Sequence, residues 1–324
     1  MNPRPPFVSV IIAARNEAGN ILGCIESVYV CGHPRDRLEI IVVDHASTDA
    51  TSARARGAGA SVIELHTGRI GKVRNTGLEV ANGEYIAYVD ADCIVPSTWL
   101  GSAIHCLAQN AAVGAVGGPY LSPIGGTWVE VGLAPQQCDS TVMKPVTALA
   151  TGSFITRRSL LMELGGFDES LISGEDDDLC NRIRDRGFAI LSLSDCHVVH
   201  RGYPRSFWRL VQKEIWHGSN HLDVRSAFDI TLILTIVFVL ALVGTGILAS
   251  VALLEPSAAV ARAVGLSVLL QSLPPALYAA KRVRQRPQDW YRTPGFLVVG
   301  YAYFLGHGLG VLNNLLRRLR CRST

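Results

Sequence analysis

Two aspartates separated by one residue, Asp90 and Asp92, directly follow the apolar run Tyr85–Val89. Carboxylates this close repel each other unless a positive charge neutralises them, and a divalent cation with oxygen ligands supplies that charge. Mg²⁺ held in this way bridges protein carboxylates and the phosphates of a substrate. The spacing therefore predicts a divalent-cation site after this run, with two solvated loop aspartates as the alternative.

A second acidic segment, Glu175–Asp178, follows Gly174 and precedes a helical pattern that contains Leu179 and Ile183. Acids in the first turn of a helix interact favourably with its dipole, and a run of acids is also typical of a solvated surface. Neither explanation requires four acids in a row. A carboxylate of this segment, held beside a sugar hydroxyl, could act as a general base.

Polar residues and histidines also follow other apolar runs. Residues 13–17 come after the first run, and residues 44–49 come after the second. Asp44 taken alone could be a simple loop residue. His197 and His200 follow a later run, where either could bind a metal or a diphosphate, but an isolated histidine is more often structural.

A scaffold that positions these segments is indicated by short apolar runs alternating with helical patterns. Strands and helices that alternate at this spacing predict a doubly wound α/β sheet with parallel strands. Ligands of such sheets bind outside the carboxyl ends of the strands, where the polar segments lie. The expected strands are residues 8–12, 39–43, 61–65 and 85–89, and the expected helices are residues 16–30, 47–57 and 71–81.

Three long apolar stretches, residues 228–254, 258–280 and 294–316, lie in the last third of the chain. About 20 apolar residues in a helix are enough to cross a bilayer. The pattern predicts a catalytic domain in residues 1–225 and a membrane region in residues 226–324. Buried core helices of a soluble protein are the alternative, above all for the third stretch.

The charge distribution agrees with this division. The chain has a net charge of +3, but the part from Phe228 onward carries +7 and the rest carries −4. Only 18% of the residues are charged, below the roughly 25% of a typical soluble domain. This composition excludes a disordered chain and a basic nucleic-acid-binding arm, and it favours a membrane partner.

Basic loops predict the orientation in the membrane. Five basic residues between the second and third stretches, within residues 281–292, predict a cytoplasmic loop. The tail after the third stretch is basic too, so that stretch either re-enters or lies at the interface, or the charge rule is overridden. Because the N-terminus lacks a secretory signal, we expect a multi-pass protein of the cell inner membrane with a cytoplasmic catalytic domain.

The eight cysteines are scattered, and none forms a CxxC pair. This pattern argues against a zinc ribbon or a thioredoxin-like redox site. We expect the cysteines to be reduced and to pack as small hydrophobic side chains.

Five sequence features, in chain order, resemble the motifs of family 2 glycosyltransferases, over roughly residues 7–220. They are Val8–Glu17, Val42–Asp49, Gly71–Gly77, Asp90–Asp92, and the block Gly165–Asp168 with Gly174–Asp176. The second departs from the family pattern at His45 and Ala46, where an acid or amide and a glycine are usual. The resemblance implies a GT-A fold, which is a doubly wound, Rossmann-like mixed sheet, followed here by an α-helical transmembrane region.

The resemblance also implies a role for each motif residue. The residues that would bind the nucleotide-sugar donor are Ala13, Ala14, Glu17, Asp44, Arg74 and Asp90. A divalent metal, Mn²⁺ or Mg²⁺, would be held by Asp92, with Asp90 and His200 beside it. Asp176 would be the catalytic base, and Glu175 would shape its environment.

The function implied is that of an inverting, metal-dependent glycosyltransferase that uses a nucleotide-sugar donor. The apolar C-terminal region indicates a membrane-proximal, lipid-linked acceptor in glycan or glycolipid biosynthesis. The chain lacks the Q-x-x-R-W motif of processive members, which favours a single transfer. Two alternatives remain: a nucleotidyltransferase on a related fold, and a catalytically inert, membrane-anchored assembly module.

Overall fold

The computed structural model describes residues 4–137, 143–220 and 230–322. The chain divides into two compact units. The first, the sheet unit, comprises Met1–Ile124 and Gln136–Gly202, and the second, the helical unit, comprises Gly125–Pro135 and Tyr203–Thr324. The predicted boundary between residues 225 and 226 lies outside the described residues.

An eight-stranded mixed sheet forms the centre of the sheet unit, in the order β3-β2-β1-β4-β9-β6-β10-β8. Its strands are β1 (Val8–Ala14), β2 (Leu38–Asp44), β3 (Ser61–Glu64), β4 (Tyr85–Asp90), β6 (Val113–Gly117), β8 (Met143–Pro145), β9 (Phe154–Arg157) and β10 (Ala189–Leu193). The first four strands pair in parallel as predicted, whereas β9 is antiparallel to both β4 and β6. The sheet is therefore mixed, as the family resemblance implies.

A smaller sheet of three short strands supports the site. It consists of β5 (Cys93–Ile94), β11 (Val198–His200) and β7 (Tyr120–Leu121), with β11 in the middle. The central strand pairs antiparallel with β5 and parallel with β7. This pairing brings residues from three distant parts of the chain next to the end of β4.

Helices cover both faces of the large sheet. They are α1 (Ile21–Tyr29), α2 (Thr51–Gly57), α3 (Ile70–Val80), α4 (Trp99–Gln109), α6 (Arg158–Leu164) and α7 (Glu175–Asp185). Val10 and Ile12 of β1 pack in one buried cluster and Ile11 packs in the other. Since side chains alternate between the faces of a strand, burial on both faces produces the uninterrupted apolar runs seen in the sequence.

The helical unit contains α5 (Trp128–Leu133), α8 (Phe207–Asn220), α9 (Ile230–Leu254), α10 (Ala258–Gln285) and α11 (Thr293–Arg322). Among the residues that the structure describes, three helical segments are long and apolar enough to cross a membrane, namely Ile230–Leu254, Ala258–Gln285 and Gln288–Arg317. They contain the three predicted stretches, except for residues 228 and 229 of the first stretch, which lie outside the described part of the chain. The second helix continues through Pro274 and Pro275.

The third apolar helix differs from the other two in its packing. It is one continuous helix from Thr293 to Arg322, without a re-entrant turn. The amphipathic helix α8 packs along it, where Gly306 and Gly310 allow close approach to backbone atoms of α8. About half of its apolar window is buried inside the protein, a larger share than in α9 or α10.

Candidate active site

Two loops at the carboxyl edge of the sheet are joined by side-chain hydrogen bonds. The amide of Asn16 donates to Oγ of Ser47 at 2.8 Å, and Oδ1 of Asn16 accepts from the amide of Thr48 at 2.8 Å. The amide of Ala18 donates to Asp49, which also accepts from the amide of Thr51. These bonds hold both segments as turns, so α1 begins at Ile21 and α2 at Thr51, later than predicted.

Two residues in these loops adopt left-handed backbone conformations, Asn16 with φ +56° and Ala46 with φ +53°. Such a conformation costs a residue with a Cβ roughly 1–2 kcal/mol. Ala46 stands where the family pattern has glycine, so the turn keeps the glycine-like geometry despite the substitution.

A cleft of about 230 Å³ lies beside these loops and contains most of the predicted donor-binding residues. It is lined by Ala13, Ala14, Arg15, Glu17, His45, Ile70, Val73, Asp90, Ala91 and Asp92. Burial raises the pKa of Glu17, and the carboxylates of Asp92, Asp49 and Asp90 raise it further, against a hydrogen bond from Asn20. The cleft thus concentrates negative charge.

Asp44 lies apart from this cleft. It is 3% exposed at the end of β2, and its carboxylate accepts hydrogen bonds from the amide of Ser47 at 2.9 Å and from the hydroxyl of Ser52. It lines a neighbouring cleft together with Asp49, Arg56, Glu64 and His66. The structure therefore brings Glu17 and Asp90 together but places Asp44 in a separate recess.

Four potential metal ligands converge where β4 ends. One ligand atom from each of Asp90, Asp92, Cys93 and His200 lies within 4.8 Å of the others. Nε2 of His200 is 3.4 Å from Oδ2 of Asp92. Two carboxylates and an imidazole fit a divalent cation such as Mn²⁺ or Mg²⁺, which favour oxygen ligands. The predicted trio Asp90, Asp92 and His200 is thus assembled, whereas His197 bonds to the carbonyl of Ser194.

Two glycines allow the backbone to approach these carboxylates. A Cβ on Gly202 would overlap the carboxylate of Asp92. A Cβ on Gly152 would overlap the hydroxyl of Tyr120 and lie 2.7 Å from Oδ2 of Asp90. Both glycines therefore keep space around the cluster that any larger residue would remove.

Arg74 connects this cluster to the acidic helix α7. Its guanidinium forms a short ion pair with Glu175, lies 3.6 Å from Oδ1 of Asp90, and covers the ring of Phe167 at 5.5 Å. Burial opposes the positive charge, but the carboxylates of Asp90 and Glu175 outweigh it and raise the pKa of Arg74. The side chains of Arg74 and Glu175 are only 7% and 8% exposed, so neither is satisfied mainly by water.

Asp176 stands in the first turn of α7, directly after Glu175. Its Oδ1 accepts a hydrogen bond from the amide of Asp177 at 2.9 Å, and its side chain is half-buried. Burial and the adjacent Glu175 carboxylate raise the pKa of Asp176 to about 6, although Arg74 lowers it. A carboxylate with this pKa is ionised at neutral pH and still accepts a proton more readily than an ordinary aspartate.

Several site residues were not identified from the sequence. Tyr120 donates a hydrogen bond to Asp90 at 3.4 Å, and its ring lies 5.4 Å from that of His200. Tyr120 and Gly152 belong to no motif, so no local signal marks them. Gly202 follows His200 by two residues, and that short spacing was the one available indication.

The chain is similar to known glycosyltransferases. The sequence profile of glycosyl transferase family 2 matches residues 9–165. The glycosyltransferase AglE of Haloferax volcanii is 31% identical over 229 residues, covering 68% of this chain and 74% of AglE. Pre-mycofactocin glycosyltransferase of Mycobacterium tuberculosis is 25% identical over 271 residues, covering 76% of this chain and 56% of the relative.

Two further similarities extend over nearly the whole chain. Beta-monoglucosyldiacylglycerol synthase of a Nostoc species is 25% identical over 362 residues, covering 98% of this chain and 74% of the synthase. The mannosyltransferase PcManGT from Pyrobaculum calidifontis, solved in complex with GDP-Man and Mn²⁺, has a TM-score of 0.59. It is 21% identical, with 98% of this chain and 89% of PcManGT covered. That likeness is one of fold.

Proposed function

The chain belongs to the family 2 glycosyltransferases, and from this premise we propose that it performs an inverting, divalent-cation-dependent sugar transfer. The donor is a nucleotide sugar, and the acceptor is a membrane-proximal, lipid-linked hydroxyl compound. The observation that carries the proposal is that Arg74 pairs with Asp90, which lies with Asp92 in the cation cluster, and also with Glu175, which adjoins Asp176. It joins a cation site to a carboxylate suited to remove a proton.

The donor end of the reaction uses the cleft beside β1 and β4. Ala13, Ala14, Glu17, Asp90 and Asp92 all line it. Asp90, Asp92 and His200 would hold Mn²⁺ or Mg²⁺ there. When bound, the cation supplies charge neutralisation for the departing nucleoside diphosphate, a Lewis-acid role. Without a cation, these carboxylates would repel the phosphates.

The acceptor end uses Asp176. We infer that its carboxylate takes the proton of the acceptor hydroxyl as the hydroxyl oxygen attacks the anomeric carbon of the donor sugar. A new bond to the acceptor oxygen forms as the bond to the diphosphate breaks, so attack from the opposite side inverts the anomeric centre. A positioned base contributes about 10²–10⁴-fold to such a step. Glu175 and Arg74 fix the position of the helix turn that carries this carboxylate.

A lipid acceptor is supported by the helices of the second unit. In the described part of the chain, three segments are apolar and long enough to cross a membrane. The Nostoc relative is named for a product built on diacylglycerol, which is a lipid alcohol. Basic residues in the last turns of α10 and in the connection to α11 favour a cytoplasmic position for that connection, as the charge rule for membrane proteins expects. We propose a multi-pass protein of the inner membrane that acts from the cytoplasmic side.

The proposal is tested by a donor panel on detergent-solubilised protein. Release of nucleoside diphosphate is measured from UDP-, GDP- and dTDP-sugars with Mn²⁺ or Mg²⁺, with chelator, and with and without a membrane lipid extract. The proposal expects lipid-dependent release from one donor that chelator abolishes. Diphosphate release from a nucleoside triphosphate would instead indicate a nucleotidyltransferase, and binding of no nucleotide at all would indicate an inert assembly module.

A further inference from the structure

The cation site contains one ligand atom that the sequence did not assign to it. Sγ of Cys93 belongs to the same group of converging atoms as the carboxylates of Asp90 and Asp92 and the ring of His200. It lies 3.7 Å from Oδ1 of Asp92. Cys93 is fully buried, and the scattered cysteine pattern predicts only a small hydrophobic side chain here. Its position beside two acids and an imidazole calls for a different explanation.

The pairing of β5 with β11 places the sulfur of Cys93 close to the imidazole of His200. Cys93 of β5 and His200 of β11 are directly opposite each other in the antiparallel register. Directly opposite residues project to the same face of the pair, with Cβ atoms about 4.5–5.5 Å apart. The amide of Arg201 also donates to the carbonyl of Asp92 at 2.8 Å. The backbone, rather than a flexible side chain, therefore holds these ligands together.

The combined donor set is two carboxylates, one imidazole and one thiol. Mg²⁺ prefers oxygen ligands, whereas thiolate sulfur and imidazole nitrogen together favour Zn²⁺ and Co²⁺. Four protein ligands around Zn²⁺ make a closed tetrahedral site, while a catalytic site keeps a position open. The same cluster could therefore hold two classes of cation in two different ways.

We propose that Cys93 is a protein ligand for thiophilic divalent cations at this site, so that Zn²⁺ or Co²⁺ binds through Asp90, Asp92, Cys93 and His200. As the bond from sulfur to the cation forms, the bond from sulfur to hydrogen breaks and one proton passes to the solvent. Such a closed set leaves no position for a diphosphate, so Zn²⁺ excludes the donor that Mn²⁺ or Mg²⁺ would admit. The proposal shares its site with the proposed function, but its test requires no sugar transfer.

The test titrates Co²⁺ into the metal-free, full-length protein under reducing conditions and records the absorption spectrum. Ligation by Cys93 predicts a near-ultraviolet sulfur-to-cobalt charge-transfer band that saturates at one cation per chain. Cys93→Ser should lose the band, and its Zn²⁺ affinity should fall roughly tenfold or more. Cys106→Ser, in the partly exposed cysteine of α4, is the matched control and should keep the band.

Folding and oxygen-ligand binding separate the possible outcomes. Circular dichroism and thermal melting show whether Cys93→Ser is folded, and Mn²⁺ binding by that variant should stay within a few-fold of the unchanged protein. A band that persists in folded Cys93→Ser would overturn the proposal. So would Co²⁺ that binds the unchanged protein without a charge-transfer band, or a failure of Co²⁺ to bind. Each of these readouts stands whether or not a donor or acceptor has been found.

Discussion

The guanidinium of Arg74 donates a hydrogen bond to the carboxylate of Glu175, although the two residues are 101 positions apart in the chain. Both side chains are more than nine-tenths buried. This pair joins α3 to the start of α7, and through Asp90 it reaches the cation site. The single positive charge of the Arg74 guanidinium thus compensates carboxylates from two separate motifs.

Arg74→Ala should strongly destabilise the protein, because it leaves Glu175 charged and buried without its partner. Loss of one partner of a buried ion pair costs about 3–5 kcal/mol in the free energy of unfolding. Thermal or denaturant unfolding in detergent measures this change. Arg186→Ala, in an exposed pair with Glu163, is the control and should cost no more than about 1 kcal/mol.

A double variant separates pairing from packing. Arg74→Met combined with Glu175→Gln removes both charges, so it should recover part of the stability lost in Arg74→Ala. The coupling free energy is obtained by comparing the double variant with Arg74→Met alone and Glu175→Gln alone. A value near zero would contradict a direct interaction between the two side chains.

Gly202→Ala should weaken divalent-cation binding roughly 10- to 100-fold, because the added methyl group would overlap the carboxylate of Asp92 and displace a ligand. Isothermal titration with Mn²⁺ measures the affinity. Gly101→Ala is the matched control, since its added Cβ meets no atom within 4 Å and lies in α4. Equal Mn²⁺ affinity in both variants would show that Asp92 is not a ligand in the position described.

Asp92→Asn should lower the cation dependence of donor binding, because an amide is a weaker ligand than a carboxylate and adds no negative charge. The measurement is nucleotide-sugar binding with Mn²⁺ and with chelator. Asp36→Asn, at an exposed residue remote from the site, should leave the difference between the two conditions unchanged. A cation dependence that survives Asp92→Asn intact would remove Asp92 from the set of ligands.

The pKa of Asp176 predicts how activity and stability change with pH. Since the base works only when ionised, kcat/KM should fall about tenfold per pH unit below pH 6. The folded-state pKa is about 6 and the reference value is 3.8, so the folded protein holds this proton more tightly. The stability contributed by the protonated Asp176 side chain is therefore present below pH 4 and is lost as the pH rises through 6.

Asp176→Asn keeps the site neutral at every pH. The variant should therefore be more stable than the unchanged protein at pH 8, by about 1–3 kcal/mol. Near pH 4 this advantage should disappear. Thermal melting at the two pH values measures it, and an advantage that is equal at both would contradict the raised pKa.

Much of the sheet could be predicted from the sequence because β1, β2 and β4 are buried on both faces and read as apolar runs. The antiparallel strand β9 was not predicted, since Phe154–Arg157 is short and its partners are distant in the chain. The late starts of α1 and α2 depend on hydrogen bonds between two loops about 30 residues apart. Local helix patterns carry no signal for such bonds.

The candidate site shows the same limit. Asp90, Asp92, Glu175 and Asp176 stand in recognisable motifs at element ends, so residue type and spacing identified them. The roles of Cys93, Tyr120, Gly152 and Gly202 arise only when β5, β7 and β11 pair. The sequence also did not predict that α5 belongs with the helices of the second unit, because a helix of six residues has too short an apolar pattern to be recognised.

The central claim is that Asp176 removes the acceptor proton without contributing to donor binding. The most direct test compares Asp176→Asn with the unchanged protein for sugar transfer and for nucleotide-sugar binding, in the same preparation and at pH 8. The account predicts that transfer falls on the order of 10³-fold while donor affinity changes by less than a few-fold. Transfer that persists, or donor binding that is lost together with transfer, would contradict the assignment of Asp176 as the base.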